Sequence, residues 1–120
     1  MKQKVQSVSY LAKAEFEFKN GVYDLVALPT GAEVVKVSLE VVGNPTVGTV
    51  SVGFKDEATK DYFLTLTLEN FQNKNATSAK DYTATSNKVV VAEVKTASGN
   101  DTKGVLRVLY FLPSVIEVEY

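Results

Sequence analysis

The sequence predicts an all-β domain, a sandwich or barrel of about eight short strands. Three observations carry that expectation. Apolar and polar residues alternate with a period of two in run after run, as a strand with one buried face requires. Gly, Pro and Asn separate those runs at regular spacing. No stretch shows the 3.6-residue period of an amphipathic helix.

The first sharp local signal is "AEFEFKNGVYDLVAL". Asn20-Gly21 is the preferred pair for a two-residue type I′ loop, which needs φ > 0 at both positions. A hairpin about it sets Phe18 opposite Tyr23 and Phe16 opposite Leu25 on one face, and Glu17 opposite Asp24 on the other. Pro29-Thr30-Gly31 then turns the chain. The strand 33–42 follows with Val35, Val37, Leu39 and Val41 inward. Gly43-Asn44-Pro45 breaks it, and 48–54 resumes with Val50, Val52 and Phe54 inward.

After the polar "KDEATKD", residues 61–69 place Tyr62, Leu64, Leu66 and Leu68 on one face, and Phe63, Thr65 and Thr67 on the other. Residues 72–87 are polar apart from Tyr82. They read as an exposed excursion with at most a short strand around 82–84. Strands at 88–95 and 103–112 are joined by a polar hairpin tip, "SGNDTKG". A short strand at 114–120 closes the chain beyond Pro113.

At 120 residues the chain is a single domain, 1–120, with an expected radius of gyration of about 14 Å. Its net charge is −1 and its only arginine is Arg107, so it lacks the basic stripe of a nucleic-acid binder. No run approaches a membrane span. The basic start "MKQKVQSVSYLAKAEF" is interrupted by Gln6, Ser7 and Ser9 before any signal-like core forms. Synthesis and folding in a cytoplasm are expected.

Cys and His are both absent. Disulfides, Ser-His-Asp and Cys-His nucleophilic sites and most zinc or redox-metal sites are thereby excluded. Carboxylate chemistry remains. Glu15 and Glu17, like Glu117 and Glu119, are accounted for as solvated faces alternating with apolar neighbours. The Glu17–Asp24 pair is a minor candidate for a cation. "SGNDTKG" has calcium-type oxygens without the regular Asp spacing of a calcium loop. Asn75-Ala76-Thr77 and Asn100-Asp101-Thr102 match the glycosylation sequon by chance in a chain with no secretory signal. No cofactor and no catalytic residue are expected.

The layout "YDLVALPTGAEVVKVSLEVVG", then "GTVSVGF", a polar middle and the closing "GVLRVLYFL" resembles small β-sandwich virion proteins of tailed phages, of the capsid decoration (cement) or head-fibre type. It covers roughly residues 22–112 through an LP-x-GA turn, a Val-rich strand, a Gly-bounded short strand and a late G-x-L-x-V-like strand. The resemblance implies a single antiparallel β-sandwich, jelly-roll-like. It also implies a homotrimer on the outer capsid surface of the virion, whose partners are itself and the major capsid protein, with no nucleic acid and no membrane.

On that reading the surplus apolar residues become contact candidates. Residues 1–12, with Val5, Val8, Tyr10 and Leu11, form either an arm onto a neighbour or a first strand of the sandwich. Ile116 and Tyr120 carry the same ambiguity at the other terminus. An alternative function, a carbohydrate- or receptor-binding module of a fibre or tail, would use exposed aromatics, for which Phe63, Phe71 and Tyr82 are the candidates. A carboxylate enzyme is the third and least favoured reading.

Overall fold

Two long strands organise the molecule. The computed structural model describes the backbone of residues 2–6, 8–69, 74–112 and 115–119, and the side chains of these apart from 2–4, 44–46, 69, 100 and 115–119. The strands run β1 (Lys2–Gln6), β2 (Ser9–Glu17), β3 (Gly21–Leu28), β4 (Glu33–Phe54) and β5 (Leu64–Glu69). Then follow β6 (Asn75–Ser78), β7 (Tyr82–Thr83), β8 (Lys88–Phe111) and β9 (Val115–Glu119). All described pairings are antiparallel.

β8 pairs with β4 along nearly its whole length, from Glu33 opposite Phe111 to Phe54 opposite Val90. Its other edge takes β2 and β3 end to end, Ser9 opposite Phe111 through to Leu28 opposite Lys88. The far edge of β4 takes β6 and β7 on its first half and β5 on its second.

Straight strands of 22 and 24 residues would reach roughly 75 Å. The whole molecule is 55 Å in its longest dimension, because both strands bend. The ladder slips between Val42 and Asn44, and again between Val47 and Thr49. Gly43 sits at φ +113°, and a side chain there would run into the backbone of Asp101 and Thr102. Across from it Thr96 and Asp101 take the left-handed region, with φ of 57° and 49°.

The bend folds the two halves face to face. Tyr82, paired with Val34 at the start of β4, brings its ring within 4.5 Å of Phe54 at the end of the same strand. Two four-stranded sheets result. One is β2, residues 103–111 of β8, residues 33–42 of β4, then β6 with β7. The other is β3, residues 88–95 of β8, residues 47–54 of β4, then β5. This is an all-β sandwich with jelly-roll strand order.

Between the sheets lie Val34, Val37, Leu39, Val50, Val52, Phe54, Val90, Ala92, Leu106 and Val108, all nearly inaccessible. No polar or charged residue is buried among the described residues. Phe16 lays its ring over Gly104, its register partner, so the glycine supplies the room the ring occupies. Tyr23 stacks on the same ring at 5.4 Å from the opposing sheet.

Several sequence expectations are corrected here. β2 and β3 do not pair as a hairpin. Each pairs with β8, and the chain passes from one sheet to the other at residues 18–20. Asn20 does not take positive φ, which rules out the type I′ turn; its Oδ1 instead accepts a hydrogen bond from the Ala97 N–H at 2.8 Å. Glu17 and Asp24 are therefore not opposed. Lys19 lies 3.2 Å from Glu17 and Lys55 2.7 Å from Asp24.

The expected break at residues 43–45 and the expected hairpin tip at 98–104 are the two sides of the bend, with pairing continued through both. A bulge at Val35 flips the alternation, so that Val34 and Val37 point inward and Val35 outward. The polar excursion contains a strand, β6, as well as the short β7.

β1 and β9 form a separate two-stranded ribbon, Lys2 opposite Glu119 and Gln6 opposite Val115. These strands touch each other and little else. The ribbon prolongs the β2–β8 ladder beyond the sandwich. It accounts for a radius of gyration of 16.0 Å, above the roughly 14 Å of a sphere-like domain of this length.

Candidate functional site

The outward face of the first sheet carries aligned apolar and basic residues. Register aligns Leu11, Leu109 and Lys36 in one row. Lys13, Arg107 and Ser38 form the next, and Ser9, Phe111 and Glu33 lie in a row toward the ribbon. Two adjoining depressions result. One, of about 280 Å³, is lined by Leu11, Lys36, Ser38, Arg107 and Leu109. The other, of about 480 Å³, is lined by Gln6, Glu33, Val35 and Phe111, at the root of the ribbon.

The floor is apolar and the rim charged. Leu11 is 64% exposed, a large apolar side chain left in water on strand β2. Arg107 Nη1 contacts Glu40 Oε1 at 3.3 Å, and Lys103 contacts Glu15 at 3.2 Å. Lys13 and Lys36 have no ion-pair partner among the described residues.

Of the residues singled out from sequence, the structure gathers Leu11 into this face and sets Val5 on the ribbon, 37% exposed and opposite Ile116. Tyr10 is 47% exposed and stacks on Tyr110 with ring centroids 5.8 Å apart. Val8 is half-buried, and its carbonyl accepts the Leu112 N–H at 2.9 Å. Phe71 and Tyr120 lie outside the described residues, and Ile116 is placed by register alone.

Phe63, expected as a spare exposed aromatic, is buried. Its N–H bonds Val52 O and its ring packs edge-on to Phe54 at 5.3 Å. Tyr82 is half-buried in the same cluster, together with Tyr62. These two residues do not make an exposed aromatic platform. Sequence reasoning missed Val35, Lys36, Arg107 and Leu109, whose joint position depends on three strands brought side by side.

A third depression, of about 520 Å³, lies at the bend, where Glu17, Lys19, Asp101 and Lys103 alternate in sign around Phe18 and Val42. No group of three metal-ligating side chains occurs among the described residues. The strongest polar contact near the aromatic cluster is Lys88 Nζ to Asp56 Oδ2 at 2.6 Å. That hydrogen bond holds the Asp56 carboxyl below its ordinary range and raises the Lys88 ammonium, with desolvation opposing in both cases. The pair thus stabilises the fold between about pH 4 and 10.5, and its contribution is lost as pH falls below that window or rises above it.

No family model matches the chain, and no curated protein does. Solved structures do. A protein in the acidic stable capsid structure of Helicobacter pylori bacteriophage KHP30 is 75% identical, with full coverage of both chains and a TM-score of 0.91. A chain of the cyanophage Pam1 capsid asymmetric unit has a TM-score of 0.68 at 22% identity, over 88% of this chain and 85% of that one, and shares the fold. With the sandwich and an identity of that height over its whole length, the chain belongs to the same family as the KHP30 capsid component, a family of β-rich phage capsid proteins.

Proposed function

We propose that the protein is a non-enzymatic cement, or decoration, protein that sits on the outer surface of a phage capsid as a trimer and stabilises it. The observation that carries this reading is the full-length identity to a component of the KHP30 capsid structure. A face with an apolar floor and a charged rim, and a ribbon projecting from the sandwich, supply the kind of surface such a role needs. Standard interfaces take about 800 Å² from each partner.

The test is addition of purified protein to capsids lacking it. Saturable binding in multiples of three, with a rise in the capsid's disruption temperature, is expected. Failure to bind, or binding with no gain in capsid stability, would count against cement. Light scattering on the free protein is expected to give about three times the 13.1 kDa chain mass. A monomer that stays monomeric on capsids would overturn the trimer.

The KHP30 capsid is described as acid-stable, and this chain has the means to share that property. With no His and no carboxyl buried among the described residues, acid has no internal ion to neutralise. The unfolding midpoint is expected to stay nearly flat from neutral pH to about pH 4.5, within roughly 5 °C. Below that it declines as the Asp56–Lys88 pair is lost and the 13 Lys and Arg are left unbalanced. Added salt should recover part of the decline, since exposed charges are screened. A cooperative collapse above pH 5 would contradict this account.

A further inference from the structure

The edge of a sheet presents a row of unpaired backbone N–H and C=O groups, and proteins blunt such edges by keeping them short or bulged. Three edge strands of the sandwich are short: β5, β6 and β7 run six, four and two residues. β3 is interrupted by a bulge between Asp24 and Val26. β2 is different. It runs nine residues, Ser9–Glu17, without Pro, Gly or a bulge, and among the described residues it pairs with β8 alone.

The open side of β2 can be assigned residue by residue. The Phe18 N–H donates to Thr102 O at 3.2 Å and the Leu112 N–H to Val8 O at 2.9 Å, one bond just beyond each end of the β2–β8 ladder. Hydrogen-bonded pairs alternate along an antiparallel ladder, so the even-numbered residues of β2 turn their backbone toward β8. Ser9, Leu11, Lys13, Glu15 and Glu17 turn theirs toward the open edge, and all five are exposed. Lys13, in the middle, has no ion-pair partner among the described residues. A lysine there opposes edge pairing in general. Glu15, two residues on, supplies its complement.

We infer that β2 of one copy adds to β2 of a second copy, antiparallel, about a two-fold axis at Ala14. That register sets Lys13 opposite the second copy's Glu15 on both sides of the axis and opposes no like charges. Odd residues must meet odd residues, so the axis passes through a residue. At Lys13 or at Glu15 it would set that charge against itself. The charge pattern of β2 is thus its own complement about Ala14, which makes a second copy the occupant of this edge. Ala14 also suits the axis, where the two strands face each other as a close, non-hydrogen-bonded pair. The contact is isologous and joins copies in pairs. It is separate from the threefold contact proposed above, and on a capsid it would link one trimer to the next.

The absence of cysteine makes the test clean. Ala14→Cys in the full chain puts one thiol opposite its own copy, at a Cα separation of about 4.5 Å that a disulfide spans. Oxidation of the free protein is expected to give a covalent species of two chain masses. Ala12→Cys is the control. In this register residue 12 faces Phe16 of the second copy, and the two thiols stand about 13 Å apart along the strand, beyond disulfide reach.

Charge reversal then checks the partner. In the Ala14→Cys background, Lys13→Glu or Glu15→Lys alone is expected to lower the yield of that species at least about fivefold, since each sets like charges opposite on both sides of the axis. Mixing the two variants restores both pairs, and the mixed disulfide is expected to return to the parent yield. An unchanged melting temperature shows that these exposed substitutions leave the fold intact. No cross-link at residue 14, equal cross-linking at 12 and 14, or a mixture no better than either variant alone would overturn the inference. The test uses the free protein and reads a single pairwise link, so its failure leaves the trimer mass and capsid binding to their own measurements.

Discussion

Replacing Gly104 by valine is expected to cost about 3–5 kcal/mol of folding stability, the same order as truncating a buried phenylalanine. Phe16 is 7% exposed and its ring occupies the space above Gly104 that any Cβ would need. A side chain there must expel the ring or lift β2 from β8. The loss would be a large fraction of the 5–15 kcal/mol typical of a domain, and would lower the melting temperature by about 10–20 °C.

A double-mutant cycle separates this cause from a general effect on strand geometry. In a Phe16→Ala background the ring is gone, and Gly104→Val should cost less than about 1 kcal/mol further. Additive losses in urea denaturation would show that Gly104 matters for its backbone and not for the ring.

Phe54→Ala is expected to lose about 3–5 kcal/mol as well, by a different route. Phe54 is buried at the end of β4, with Tyr82, Tyr62 and Phe63 within 4.5, 5.1 and 5.3 Å of its ring centre. Those rings come from two segments, residues 62–63 and 82, so the cavity would loosen the join between the sheets at this end. The chain has no Trp and six Tyr, so its near-ultraviolet dichroism is expected to be dominated by tyrosine. Loss of stability should therefore come with a weakened tyrosine signal in the folded variant. Phe54→Leu, which keeps most of the volume, should cost under about 1.5 kcal/mol. Equal losses for both variants would argue against the packing account.

What was legible in the sequence was the period of each strand, because burying one face imposes it locally. The inward sets Val50, Val52, Phe54 and Leu66, Leu68 stand as alternation placed them. What was not legible was pairing. Asn20-Gly21 carries a strong hairpin signal, yet β8, more than sixty residues away, takes both flanking strands and overrides it. The bulge at Val35 and the register slips at the bend each change facing by one residue, which no pattern of apolar residues announces. β6, "NATS", is a strand held by backbone bonds at a sheet edge and has little apolar signal to find.

The candidate surface divides along the same line. Leu11, Tyr10 and Val5 stood out as apolar residues with no assigned partner. The floor of the groove did not, because Val35, Leu109 and Phe111 look like core residues until the bulge and the sheet order turn them outward.

The central place of β8 has a consequence for how the chain is born. β2, β3 and β4 all pair with it, and it spans residues 88–111 of 120. At about 5–20 residues per second, roughly 4–18 s pass between the making of β1 and the start of β8. For most of that time β2 and β3 have no ladder to join, and only the local pairing of β4 with its later neighbours is open to the nascent chain. The sandwich therefore closes only once β8 has been made, in a late step dominated by contacts between distant residues. Refolding from denaturant should accordingly fall in the milliseconds-to-seconds range of high-contact-order β proteins.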